Sequence, residues 1–123
     1  MVRTGKTRSI GVSNFSIKTL SVLLRHASIV PAVNQVEAHP RLPQHTLLSF
    51  CTERGIVLTA YSPVGKYKYA EEDEDIAAIA QKKNVTTAQV LLSWGVQRGT
   101  VVVPKSERQE RIKQNISVST TVS

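Results

Sequence analysis

The sequence predicts an α/β protein built on a parallel β-sheet. Short apolar runs alternate with amphipathic stretches of helical length along the chain. Their order reads βα, βα, β followed by two helices, then βα, which places helices between successive parallel strands. The third run, IVLTAY at 56–61, is apolar on successive positions, as expected for a parallel strand covered on both faces.

Residues 8–12, RSIGV, read as the first strand. Asn14 or Ser16 caps the helix that follows, where Leu20, Leu23 and Leu24 fall on one face. Pro31 opens the second strand, AVNQVE. The segment His39-Pro40-Arg41-Leu42-Pro43 is a turn, because two prolines so close fit neither a helix interior nor a central strand. The next helix runs from about Gln44 to Arg54. Gly55 stands at its C′ position, where a left-handed residue is wanted. After the third strand comes the loop SPVGKYKYAEEDE. Asp75 begins the helix IAAIAQKK, which Asn84 ends, and the acidic run 71–75 complements the dipole at its start. Thr86 or Thr87 caps AQVLLSWGVQR, which Gly99 stops. VVVP, at 101–104, is the fourth strand, and the helix ERQERIKQN follows Ser106. The tail ISVSTTVS carries no strong signal, and residues 119–123 are expected to fray.

At 123 residues the chain is expected to form a single domain, large enough to bury a core. Its 41% hydrophobic and 20% charged residues exclude wholesale disorder. The formal charge of +7 points to an anionic partner such as a phosphate ligand. Five of the nine acids cluster at 71–75, whereas the bases are scattered apart from small groups at Lys66/Lys68 and between Lys105 and Lys113. Without a long basic tract, nucleic-acid binding is not expected. The lone cysteine, Cys51, excludes an intrachain disulfide and falls within a helix, where a buried structural thiol is the default. No apolar run reaches the roughly 18–20 residues that cross a bilayer, and the N-terminus lacks an apolar signal core. A cytoplasmic protein with no membrane partner is the expectation.

In folds with parallel strands, ligands gather at the carboxyl ends of the strands. Here those ends carry Ser13-Asn14, Asn34-Gln35 with Glu37, Tyr61-Ser62, and Lys105-Ser106. Amide, hydroxyl, aromatic and cationic groups on one rim suit a ligand with hydrogen-bonding groups, a flat ring and phosphates. Each residue also has a structural reading: Ser and Asn cap helices, Gln35 satisfies backbone groups, and Tyr61 joins the core.

The strings IGVSNF, AVNQVEAHP, GIVLTAYSPVG and VVVPKS, in that order and followed by ERIKQN, closely resemble the aldo-keto reductases. These are (β/α)8, or TIM, barrels that reduce aldehydes and ketones with NADPH or NADH. The resemblance runs from about Lys6 to about Val118 and implies half a barrel, with these strands as the fifth to eighth. It implies that Ser13, Asn14 and Gln35 hydrogen-bond the nicotinamide carboxamide and that Tyr61 stacks on the nicotinamide ring. Ser62 and the backbone around Val64-Gly65 would approach the pyrophosphate. Val64 stands where relatives often have Leu. Lys105, Ser106 and Arg111 would hold the adenosine 2′-phosphate, and Gln114 and Asn115 would face the adenine; many relatives carry Glu at the first of these. A phosphate between two cations near a helix N-terminus is a sound site. The Lys/Arg pair favours NADP(H), since an acidic residue is expected beside a free ribose hydroxyl.

The resemblance also implies what this stretch lacks. The family's tyrosine acid, its tuning lysine and aspartate, and its histidine lie on the first four strands. Tyr67 and Tyr69 match no catalytic motif, His39 belongs to a structural turn, and His26 and His45 have no partners of catalytic type. No catalytic residue and no metal ligand is therefore assigned. Half a barrel, of the about 250 residues a whole one takes, leaves two open edge strands and an uncovered inner face. Edge-to-edge dimerisation, pairing with a complementary half-barrel, or marginal stability is the expected consequence. The loop after Tyr61 also looks short beside relatives. Two functional readings follow: an NADPH-dependent reductase acting on a small carbonyl compound once completed, or a truncated module that binds NADP(H) or a partner without turnover.

Overall fold

The computed structural model describes residues 2–65 and 72–118. A 3-10 turn at Val2–Thr4 precedes strand β1, Val12–Ser13. Then come helix α1, Ile17–His26; β2, Val33–Glu37; α2, His45–Thr52; and β3, Val57–Tyr61. Helices α3, Glu74–Lys83, and α4, Thr87–Gln97, lead to β4, Val101–Val103, and α5, Gln109–Ile116. The four strands form one parallel sheet in the order β1-β2-β3-β4, so the chain winds steadily in one direction.

The helix ends follow from local chemistry. The Ser16 hydroxyl accepts from the Thr19 amide at 3.2 Å, which settles the first cap on Ser16. At α4, Thr86 and Gln89 form a reciprocal capping box. Asn84 ends α3 in the left-handed conformation, at φ 54°. Helix α3 starts one residue before Asp75, because Asp73 accepts from the Ile76 amide at 3.3 Å and caps it. Glu74 and Asp75 then lie in its first turn, where the dipole favours them. The last helix begins at Gln109 rather than Glu107. Ser106 turns the preceding loop, its hydroxyl accepting from the Arg108 amide at 3.2 Å, and it does not cap the helix.

Two expectations need correction. Strand β1 is two residues, not five: with Val12 beside Asn34, Ile10 lies opposite Ala32, before β2 begins, and only the Ala32 amide bonds to the Ile10 carbonyl. The third strand is covered on both faces only at its centre, where Leu58, Thr59 and Ala60 are all buried. Leu58 and Ala60 point into a core with Leu20, Val36, Leu47 and Cys51, whereas Val57 on the opposite face is 43% exposed. Val101 and Val103 of β4 are exposed on that same face, which no helix among the described residues covers. A second cluster joins Ile76, Leu91, Leu92 and Val64 beside β4. Val118 is buried in it, so the start of the tail is packed; residues 119–123 lie outside the described part.

Candidate functional site

Alternation along parallel strands sorts the side chains. Ser13, Gln35, Thr59 and Val101 form one row across the uncovered face, and Glu37, Tyr61 and Val103 form the next row toward the strand ends. Three strand spacings of roughly 4.8 Å give a rim about 15 Å wide. Of the polar residues expected from the strand ends, Ser13, Gln35, Glu37 and Tyr61 share this face, whereas Lys105 and Ser106 follow the end of β4.

The β1 side of this rim is tightly tied. The Ser13 hydroxyl donates to the Gln35 carbonyl at 2.9 Å, and the Asn14 amide donates to the same oxygen at 2.8 Å. Asn14 is left-handed at φ 58°, and its Oδ1 accepts from the Tyr61 hydroxyl at 3.1 Å. That bond spans two intervening strand spacings and holds the half-buried Tyr61 ring against the uncovered face. The Asn14 amide hydrogens remain available as donors beside the ring. Asn14, Phe15, Glu37, Gln44 and Tyr61 line a cleft of about 330 Å³.

Asn34, read from the sequence as a strand-end amide but given no binding role, sets this arrangement. It is fully buried, donates to the Phe15 carbonyl at 2.9 Å and accepts from the Phe15 amide at 3.3 Å. Its side chain thus acts as a short piece of strand that locks the turn after β1. An amide inside an apolar strand, on the helix-covered side, is the signal that pointed to it. Beyond β3, Ser62 is left-handed at φ 48° and its carbonyl accepts from the Gly65 amide at 2.8 Å. This turn presents backbone rather than side chains, since Val64 is buried in the second core cluster. The rest of the loop, residues 66–71 with Tyr67 and Tyr69, lies outside the described residues.

The β4 side is a separate, charged cleft. Lys105, Ser106, Glu107, Arg108 and Arg111 line about 280 Å³ at the start of α5. Helix α5 has no side-chain N-cap, so its first amides face this end. Lys105 Nζ pairs with Glu107 Oε1 at 3.0 Å. Asn115 lines an adjoining cleft with Val102, Pro104, Ser106, Ile112 and Ile116. Gln114 is anchored from behind, its carbonyl accepting from Gln89 Nε2 at 3.2 Å. A phosphate fits the first cleft by charge, and a flat apolar base fits the second. Away from the rim, His39 is buried and its Nε2 lies 3.1 Å from Glu37 Oε1, consistent with a turn-bracing role. Cys51 is buried, and burial pushes its thiol above the ordinary range. No helix among the described residues is long and apolar enough to cross a membrane.

Comparison with known proteins decides what this rim belongs to. The profile of the Aldo/keto reductase family matches residues 1–122. The chain belongs to this family. It is 48% identical to the D-galacturonate reductase of Hypocrea jecorina, with 96% of this chain aligned to 38% of that protein. It is 50% identical to the glycerol 2-dehydrogenase (NADP(+)) of Saccharomyces cerevisiae, covering 96% of this chain and 39% of that one. Among solved structures, an aldo-keto reductase from a deep-sea metagenome library superposes with a TM-score of 0.91 at 42% identity, over 94% of this chain and 43% of that one. An aldo/keto reductase from Brucella melitensis gives 0.88 at 37% identity, over 95% and 44%. The chain thus spans about two-fifths of the length of the curated relatives it matches. Its open sheet of four parallel strands is a partial aldo-keto reductase barrel.

Proposed function

We propose that this chain supplies the NADP(H)-binding half of an aldo-keto reductase that reduces aldehydes or ketones to alcohols. The observation that carries this reading is the pairing of two clefts on one set of strand ends. One is lined by Asn14, Phe15, Glu37, Gln44 and Tyr61, and the other by Lys105, Ser106 and Arg111. The bound cofactor would supply a hydride to the carbonyl carbon. The chain's own residues bind and orient. Asn14 holds the Tyr61 hydroxyl, so the ring is set before a nicotinamide arrives and little ordering remains to be done on binding. Ser13 and Gln35 offer hydrogen-bonding groups beside it, the Ser62–Gly65 turn offers backbone amides, and Lys105 with Arg111 offers positive charge to a 2′-phosphate. Gln114 and Asn115 flank the adenine.

The acid that protonates the developing alkoxide is not assigned to any residue of this chain. A second reading therefore stands beside the first: a module that binds NADP(H) or a partner without turnover of its own. The exposed apolar residues on the uncovered sheet face favour keeping it. On either reading the uncovered face would pair with a complementary half-barrel or a second copy, the partners are small molecules rather than nucleic acid or membrane, and a cytoplasmic setting is expected.

Titration with NADPH, followed through Trp94 and tyrosine fluorescence, tests the proposal. Saturable quenching that is weakened by Lys105→Ala is the expected result. No binding at millimolar NADPH would overturn it. Aldehyde-dependent NADPH oxidation separates the two readings: turnover supports the first, and binding without turnover supports the second.

A further inference from the structure

The phosphate cleft contains its own competing anion. Of its charged lining, Lys105, Arg108 and Arg111 are positive and Glu107 is negative. The turn braced by Ser106 and the Arg108 amide brings residues 105 and 107 to the same side, where Lys105 Nζ and Glu107 Oε1 meet at 3.0 Å. Both side chains are exposed, at 86% and 85%, so the pair is weak and does not close the cleft. A doubly charged phosphate can take Glu107's place at Lys105. The displaced carboxylate nevertheless stays within a screening length of it and repels it. A free ribose 2′-hydroxyl carries no charge and can donate to a carboxylate, which is how acidic residues favour NAD.

We propose that Glu107 sets the cofactor preference of this cleft: its charge beside Lys105 weakens binding of a 2′-phosphate and its carboxylate accepts a ribose hydroxyl, so that NADH is taken as well as NADPH. This rests on the NADP(H) reading above. It also refines the expectation drawn from the Lys/Arg pair, because the acidic residue expected of an NAD site is present two places beyond Lys105.

The test is to titrate NADPH and NADH against the 123-residue chain and its Glu107→Gln and Glu107→Lys variants, at low salt and in 1 M salt. Glu107→Gln is expected to tighten NADPH by about two- to fivefold, the range of an exposed charge pair, while NADH is unchanged or weaker. Glu107→Lys should move the ratio further in the same direction. The gain should shrink in 1 M salt, where charges are screened within about 3 Å. Circular dichroism confirms that the variants fold. An unaltered NADPH-to-NADH ratio in both variants, with NADPH binding still weakened by Lys105→Ala, overturns the role of Glu107 and leaves the cofactor reading intact. Failure of wild type and variants alike to bind either nucleotide overturns both.

Discussion

Asn34 holds the site together without touching the space a ligand would occupy. Its side chain bonds both the amide and the carbonyl of Phe15, which fixes the turn carrying Ser13 and Asn14. Removing it leaves two backbone groups unsatisfied inside the protein. Asn34→Ala is expected to cost about 2–3 kcal/mol, which corresponds to a fall in melting temperature of roughly 10 °C or more for a domain of this size. A thermal melt checks this, and a drop of less than a few degrees would show that the turn is held by something else. Cys51 shares that environment. Burial raises its thiol, while hydrogen bonding from the Asn34 side chain and the charge of Arg54 act in the opposite direction. It is a packing residue rather than a nucleophile.

At the level of elements, helix α4 is the best-determined piece. Thr86 and Gln89 cap its start, and Leu91 and Leu92 bury its inner face. Gly95 lies in its interior, where glycine weakens a helix by about 1 kcal/mol relative to alanine. The reason is tertiary: a Cβ there would come within 2.6 Å of the Val102 Cγ1 on β4. Val102 is β-branched and cannot swing aside cheaply. Gly95→Val is therefore expected to destabilise the chain by about 1–3 kcal/mol in urea unfolding. Val102→Ala in the same chain should recover part of that loss, because the two changes share one contact. Equal, additive losses would mean that α4 and β4 do not meet as described.

For the whole molecule the open sheet decides the behaviour. Strands β1 and β4 are edges, and Val57, Val101 and Val103 face outward on the uncovered side. Unpaired strand edges beside exposed apolar surface invite a second chain. The 123-residue chain on its own is expected to associate. Sedimentation at tens of micromolar should show a species larger than a monomer, or a weight-average mass that rises with concentration. A monomer with a single cooperative unfolding transition would show that the half-barrel is self-sufficient.

Fold class and most helix caps were legible in the sequence because they depend on near neighbours, whereas the strand order was implied only by the family resemblance. Ser16 bonds three residues on, Thr86 pairs with Gln89, and Asn84 and Gly55 take left-handed conformations at helix ends. The rim was legible for a related reason: parallel strands align their ends, so motifs at those ends must converge. The opposite held wherever a residue's role depends on a partner far along the chain. Ile10 fails to extend β1 because of where β2 begins, Asn34 works through Phe15, and Gly95 is explained by Val102. The exposure of Val57, like the pairing of Glu107 with Lys105, was likewise decided only by the folded arrangement. Local hydrogen bonding and side-chain periodicity act over a few residues and can be read from their spacing. Register, close approach and solvent exposure exist only once distant segments have packed.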